Sequence, residues 1–254
     1  MLRVGSSLIG YKILIDDGKL GTVSDLLFDD TTWNLRWLVV DTGNWLPGRK
    51  VLIHPAVLGR PDDGDESLAV HLTRKQIEAS PNVSRDRPVS RQAMRDVYSY
   101  YAWDPAWGDS YFGAGSFGDP IISPYRFDGD AARAMEGAVV QDDGDPHLRS
   151  SAELKGYHIH ATDGDIGHIE NLLIDDTRWG VRYLIVDTSN WLFGRHVLIS
   201  PFAVRGINWS ERLVSLGVNQ ARVKSSPPWN PVELVEMAYQ RRLHQHYDWP
   251  GYGW

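Results

Sequence analysis

The chain has 254 residues, 42% hydrophobic and 23% charged, with a formal net charge of -7 and no cysteine. The missing cysteines exclude disulfides, thiol nucleophiles, thiolate metal sites and iron–sulfur clusters, and the acidic balance opposes a non-specific nucleic-acid binder, which gains affinity from a basic surface. No apolar stretch reaches the length of a signal peptide or a membrane span, so a cytoplasmic protein without membrane insertion is expected.

The elements come twice. GYKILIDDGKLGTVSDLLFDDTTWNLRWLVVDTGNWLPGRKVLIHP, from Gly10, aligns without a gap on GYHIHATDGDIGHIENLLIDDTRWGVRYLIVDTSNWLFGRHVLISP, from Gly156, and more than half of the positions are identical. Such self-similarity fixes the architecture before any single motif does, and two copies are too few for a solenoid. Alternation over 11–15 and 157–161 predicts a first strand in each copy. Asp17-Gly18 and Asp163-Gly164 supply a hairpin turn into a second strand over 21–28 and 167–174. Asp29-Asp30-Thr31 and Asp175-Asp176-Thr177 make the next turn. In the third strand Trp33, Leu35, Trp37 and Val39 share one face, matched by Trp179, Val181, Tyr183 and Ile185. These eight are expected in a barrel interior or a packed interface. A fourth strand over 51–53 and 197–199 stops at Pro55 and Pro201, and a fifth follows at 67–72 and 212–218. Thr73 and Gln76 form a capping-box pattern before a short helix. A longer helix begins near Ser90, with Met94, Val97, Tyr98 and Tyr101 at helical spacing. Its counterpart starts at Asn230-Pro231 and runs to about Tyr247. Between the copies, 104–150 is a Gly/Asp/Pro-rich linker carrying aromatic residues, with one helical turn around 131–136.

Short turns between strands in so small a unit suggest a closed barrel, since closure removes exposed edges. The run GYKI…DDGKLGTV.DLLFDD..W..RWLVVDTGNWLPGRKVLI, and its second copy, resemble the PRC-barrel family. That fold occurs in the photosynthetic reaction centre H subunit and in the C-terminal domain of a bacterial ribosome maturation factor. The resemblance extends to bacterial tandem PRC-barrel proteins, in which a segment like PVSRQAMRDVYSYYAW follows the barrel. It implies a mainly β chain of two small PRC-type barrels with short helical extensions. The parts are then 1–81 (first barrel), 82–103 (helical aromatic extension), 104–150 (linker), 151–227 (second barrel) and 228–254 (second extension). It further implies a non-catalytic protein-interaction or assembly module without cofactor, whose protein partner is not identified and which forms a homo-oligomer in one version of the reading. Two alternatives stay open: an RNA- or ribosome-associated maturation factor, by analogy, and a metal- or small-molecule-dependent enzyme.

The residues themselves supply no catalytic, cofactor or metal set. Asp16-Asp17, Asp29-Asp30 and Asp175-Asp176 lack the spacing of a calcium loop and suit turns, where aspartate bonds the following backbone. His158 and His160 share a strand face, but the first copy has Lys12 and Leu14 there, so an outer surface is expected rather than zinc. Asp41 and Arg49 recur as Asp187 and Arg195 around Thr-x-Asn-Trp-Leu-x-Gly. They are read as structural ion pairs bracing a hairpin, because a carboxylate at a core rim wants a bidentate partner. Arg36 and Arg182 either pair with a turn aspartate or line a partner surface. Trp45 and Trp191 are either barrel plugs or exposed anchors, and with Tyr101, Trp103, Tyr247 and Trp249 they are the candidate interface residues, since interfaces favour rigid aromatic area.

Overall fold

Residues 1–43, 49–78, 147–188, 196–230 and 234–252 are described by the computed structural model. The first half contains β1 (Leu2–Val4), β2 (Lys12–Ile15), β3 (Gly18–Asp29), β4 (Leu35–Asp41), β5 (Lys50–Ile53), β6 (Leu58–Asp62), β7 (Ser67–Val70) and α1 (Arg74–Glu78). The second half repeats the series as β8 (Leu148–Ser150), α2 (Ser151–Leu154), β9 (His158–Ala161), β10 (Gly164–Asp175), β11 (Gly180–Asp187), β12 (His196–Ile199), β13 (Val204–Asn208), β14 (Leu213–Leu216), α3 (Gln220–Lys224) and α4 (Met237–Tyr247). The chain is therefore mainly β, in two seven-stranded sheets that form two barrel-like bodies.

Each Asp-Gly turn closes a hairpin, and the long strand that follows bends between two neighbours. β10 pairs with β9 in its first part and with β11 in its second, with a register shift at Asp165/Gly167. The bend needs glycine: Gly167 has φ +134°, and a Cβ there would collide with the Asp187 carbonyl. The sheet orders are β5-β4-β3-β2-β7-β6 and β12-β11-β10-β9-β14-β13.

The seventh strand of each sheet comes from the other half of the chain. β1 pairs with β10, Leu2 opposite Asp175, while β8 pairs with β3, Leu148 opposite Asp29. These are equivalent positions in the repeat, so the exchange is reciprocal. At the centre an isolated bridge joins the bodies, where Leu35 N–H donates to the Trp179 carbonyl and Val181 N–H to the Trp33 carbonyl, both at 2.8 Å. These positions are equivalent too, and the pseudo-twofold axis passes between them. Trp33 and Trp179 adopt φ +58° and +53° at this point. Left-handed backbone at a bulky residue carries strain of order 1–3 kcal/mol; here the crossed hydrogen bonds and the burial of both rings hold it.

Three expectations change. The third strand starts at Leu35 and Gly180, after the tryptophans, which lie in the turn. β4 is buried on both faces: Leu38 and Val40 are as inaccessible as Trp37, whereas the period-two rule assumes one wet face. The last helix starts at Met237 rather than near Pro231. The capping box is formed, with Gln76 Oε1 accepting from Thr73 N–H and hydroxyl at 2.9 Å each. The helical turn read around 131–136 and the helix read from Ser90 lie outside the described residues.

Candidate functional site

The turn aspartates are occupied by structure. Asp29 Oδ1 accepts from the Thr31 and Thr32 amides at 3.0 and 2.8 Å, and its other oxygen meets Arg36 at 3.4 Å. Burial pushes this carboxyl up, but the donors outweigh it and hold it below its ordinary range. Asp175 takes Arg182 through two bonds of 3.2 and 2.5 Å, and burial pulls that guanidinium down to about 10. Both repeated arginines thus pair with a turn aspartate.

The next aspartates clamp the exchanged strands, a role that turn chemistry alone did not reveal. Asp176 accepts from Arg3 Nε at 2.7 Å. Asp30 accepts from Arg149 Nε at 3.5 Å, faces His147 Nδ1 at 2.9 Å and accepts from Trp209 Nε1 at 3.0 Å. The only signal in the sequence was the recurrence of Arg3 as Arg149, 146 positions on, ahead of the aligned block.

In the hairpin, Asp41 accepts from the Gly43 amide at 2.8 Å, and Arg49 donates to the Glu78 carbonyl at 3.0 Å. Asp187 lies 3.8 Å from His168 Nε2. Arg195, Trp45, Trp191, Tyr101 and Trp103 lie outside the described residues. His158 and His160 are exposed, and His160 Nδ1 contacts Asp165 at 2.7 Å. Among the described residues no three His, Asp or Glu side chains are grouped to hold a metal ion.

Tyr247 and Trp249 stack on each other at 4.1 Å. Tyr247 is buried, which pushes its phenol up to about 12. α4 ends in Tyr247, with Trp249 two residues beyond, and covers the outer face of β11. There the Tyr183 hydroxyl contacts His244 Nε2 at 2.9 Å, and the Tyr252 hydroxyl donates to the Arg182 carbonyl at 2.7 Å. Ser200 Oγ joins that hydroxyl at 2.6 Å. A buried polar network satisfied in this way fixes one docking geometry.

A groove of about 460 Å³ runs between the bodies. One wall is β13 with Trp209, and the other is the turn at Asp30–Trp33 together with His147 and Arg149. Arg149 lies over the Trp209 ring, 4.2 Å from its centroid. The pseudo-equivalent position on the other side differs. Asp63 stands where Trp209 would be, and it binds Arg3 and the Tyr11 hydroxyl, while Arg3 also holds Asp176.

Residues 4–75 match the family model of the PRC-barrel domain. That span begins inside β1 and ends in α1, so it contains the first body's own strands. An uncharacterized protein of Deinococcus radiodurans is 31% identical over 80 residues, which is 32% of this chain and 28% of the relative's length. The chain thus matches little more than a quarter of that relative.

Proposed function

We propose that this bacterial chain is a non-catalytic protein-interaction or assembly module, built from two tandem PRC-type barrels and working in the cytoplasm. One observation carries the reading. Eight of the charged residues that recur in both repeats, Asp29 and Asp175 with Arg36 and Arg182, and Asp30 and Asp176 with Arg149 and Arg3, are spent on turns and on the strand exchange. A shared reaction centre would be repeated in both copies, whereas the groove that Asp30 and Arg149 border has Trp209 where the other copy has Asp63. No helix of the described residues is long and apolar enough to cross a membrane. In the same proposal Asp41 with Arg49, and Asp187 with Arg195, brace the loops that present Trp45 and Trp191, and Tyr101 and Trp103 add to the interface.

The test is affinity capture of the full chain from native extract after mild crosslinking, read by mass spectrometry, beside a turnover screen on the extract's metabolites. A protein partner retained near stoichiometry, with no turnover, is expected. Turnover of a metabolite, or salt-sensitive retention of RNA in place of protein, overturns the reading.

A further inference from the structure

We infer that the open edge of β13 is a docking site for an extended acidic peptide segment of a partner protein, added as a further strand. The inference rests on the interaction-module reading and names its partner class. Among the described residues β13 ends its sheet and pairs only with β14. In the first body the matching strand β6 carries Pro61 opposite Leu68, where β13 has Ile207 opposite Val214. A proline fits a paired strand only where its missing N–H faces away from the partner. Ile207 holds the same register, so its N–H and carbonyl face the open side, and neither has a partner among the described residues. Proline is a common device for blocking an edge. The first body has it and the second does not.

The groove beside this edge is cationic. Arg149 shares Asp30 with Trp209 and His147, and Arg205, exposed on β13, has no ion pair or hydrogen bond among the described residues. On the other side Arg3 is held between two carboxylates, Asp63 and Asp176. Arg149 and Arg205 thus line the groove against one carboxylate, Asp30. Backbone pairing gives such a strand its affinity, and alternate side chains give it specificity. Aspartate or glutamate at alternate positions matches the arginines.

The test uses the full chain and a fluorescein-labelled octapeptide of alternating aspartate and valine, followed by anisotropy at low and high salt. Saturable binding that weakens with salt is expected. Ile207→Pro, which copies Pro61, should abolish it, and Arg205→Glu should weaken it about tenfold, the worth of one charge-assisted hydrogen bond. N-methylation of alternate peptide amides should abolish binding to the unaltered protein, so the conclusion stands even where Ile207→Pro fails to fold. The chain has its own acidic stretch, nine acidic against two basic residues over 104–146. Peptide binding only after Asp142, Asp143 and Asp145 are changed to asparagine overturns the partner assignment. Equal affinity for a single-stranded oligonucleotide, or indifference to N-methylation, overturns the added strand. A chain that captures a protein partner but ignores the peptide keeps the module reading and loses this one.

Discussion

His54 is fully buried, and its ring meets Trp37 edge-on at 5.3 Å. Burial lowers its pKa from 6.5 to about 4, with the Arg36 charge adding to the effect. The folded state therefore prefers the neutral ring. Above pH 6.5 this group leaves stability unchanged. As pH falls toward 4 the unfolded chain takes up the proton first, and stability is lost. At about 1.4 kcal/mol per unit, a shift of about 2.5 units sets a limit of about 3.4 kcal/mol, of which about 2.5 kcal/mol is gone by pH 4.5. His54→Asn keeps an acceptor for the Ala56 amide, which Nδ1 now serves at 3.2 Å, and asparagine is a good cap there. Urea unfolding followed by tryptophan fluorescence between pH 7.5 and 4.5 compares the two proteins. The variant should lose about 2.5 kcal/mol less than the parent over that range. Parallel curves would show that His54 titrates normally and refute the argument.

Asp175→Asn removes the charge opposite Arg182, and breaking a buried pair typically costs about 3–5 kcal/mol. Chemical denaturation should show a loss of that order, and a loss under about 1 kcal/mol would contradict the burial of the pair. Truncation after Ser226 uncovers Tyr183 and the outer face of β11, so the melting temperature should fall and light scattering should show aggregation. An unchanged melt and unchanged mass would mean that α4 is dispensable.

Much of the frame was legible. The duplicated Asp-Gly and Asp-Asp-Thr turns and the alternating runs located the long strands, because those signals are local. The edge strands β6 and β13 were not. They are short and carry Gly-Arg-Pro and Arg-Gly-Ile, with little alternation. β1 and β8 are three residues each, and their partners are 169 to 173 and 119 to 123 positions away. No pattern within a window can report such pairing. The burial of both faces of β4 was hidden for a related reason: α4 shows how the outer face of a strand is covered by a segment far along the chain. Of the site, the identities of Arg36, Arg182 and the turn aspartates were visible, but the open groove beside β13 was not. It depends on a difference between the repeats, Asp63 against Trp209 and Pro61 against Ile207, and identity drew attention to what the copies share.

The reciprocal strand exchange is tested most directly by crosslinking in this cysteine-free chain. Val4 lies opposite Leu173, whereas a strand folded back on its own body would place Val4 at the equivalent position, opposite Leu27. Val4→Cys with Leu173→Cys, and separately Val4→Cys with Leu27→Cys, are oxidised at low protein concentration and mapped by mass spectrometry. The account predicts a rapid intrachain disulfide in the first protein and none in the second. The opposite pattern would contradict the exchange and the pseudo-twofold unit built on it.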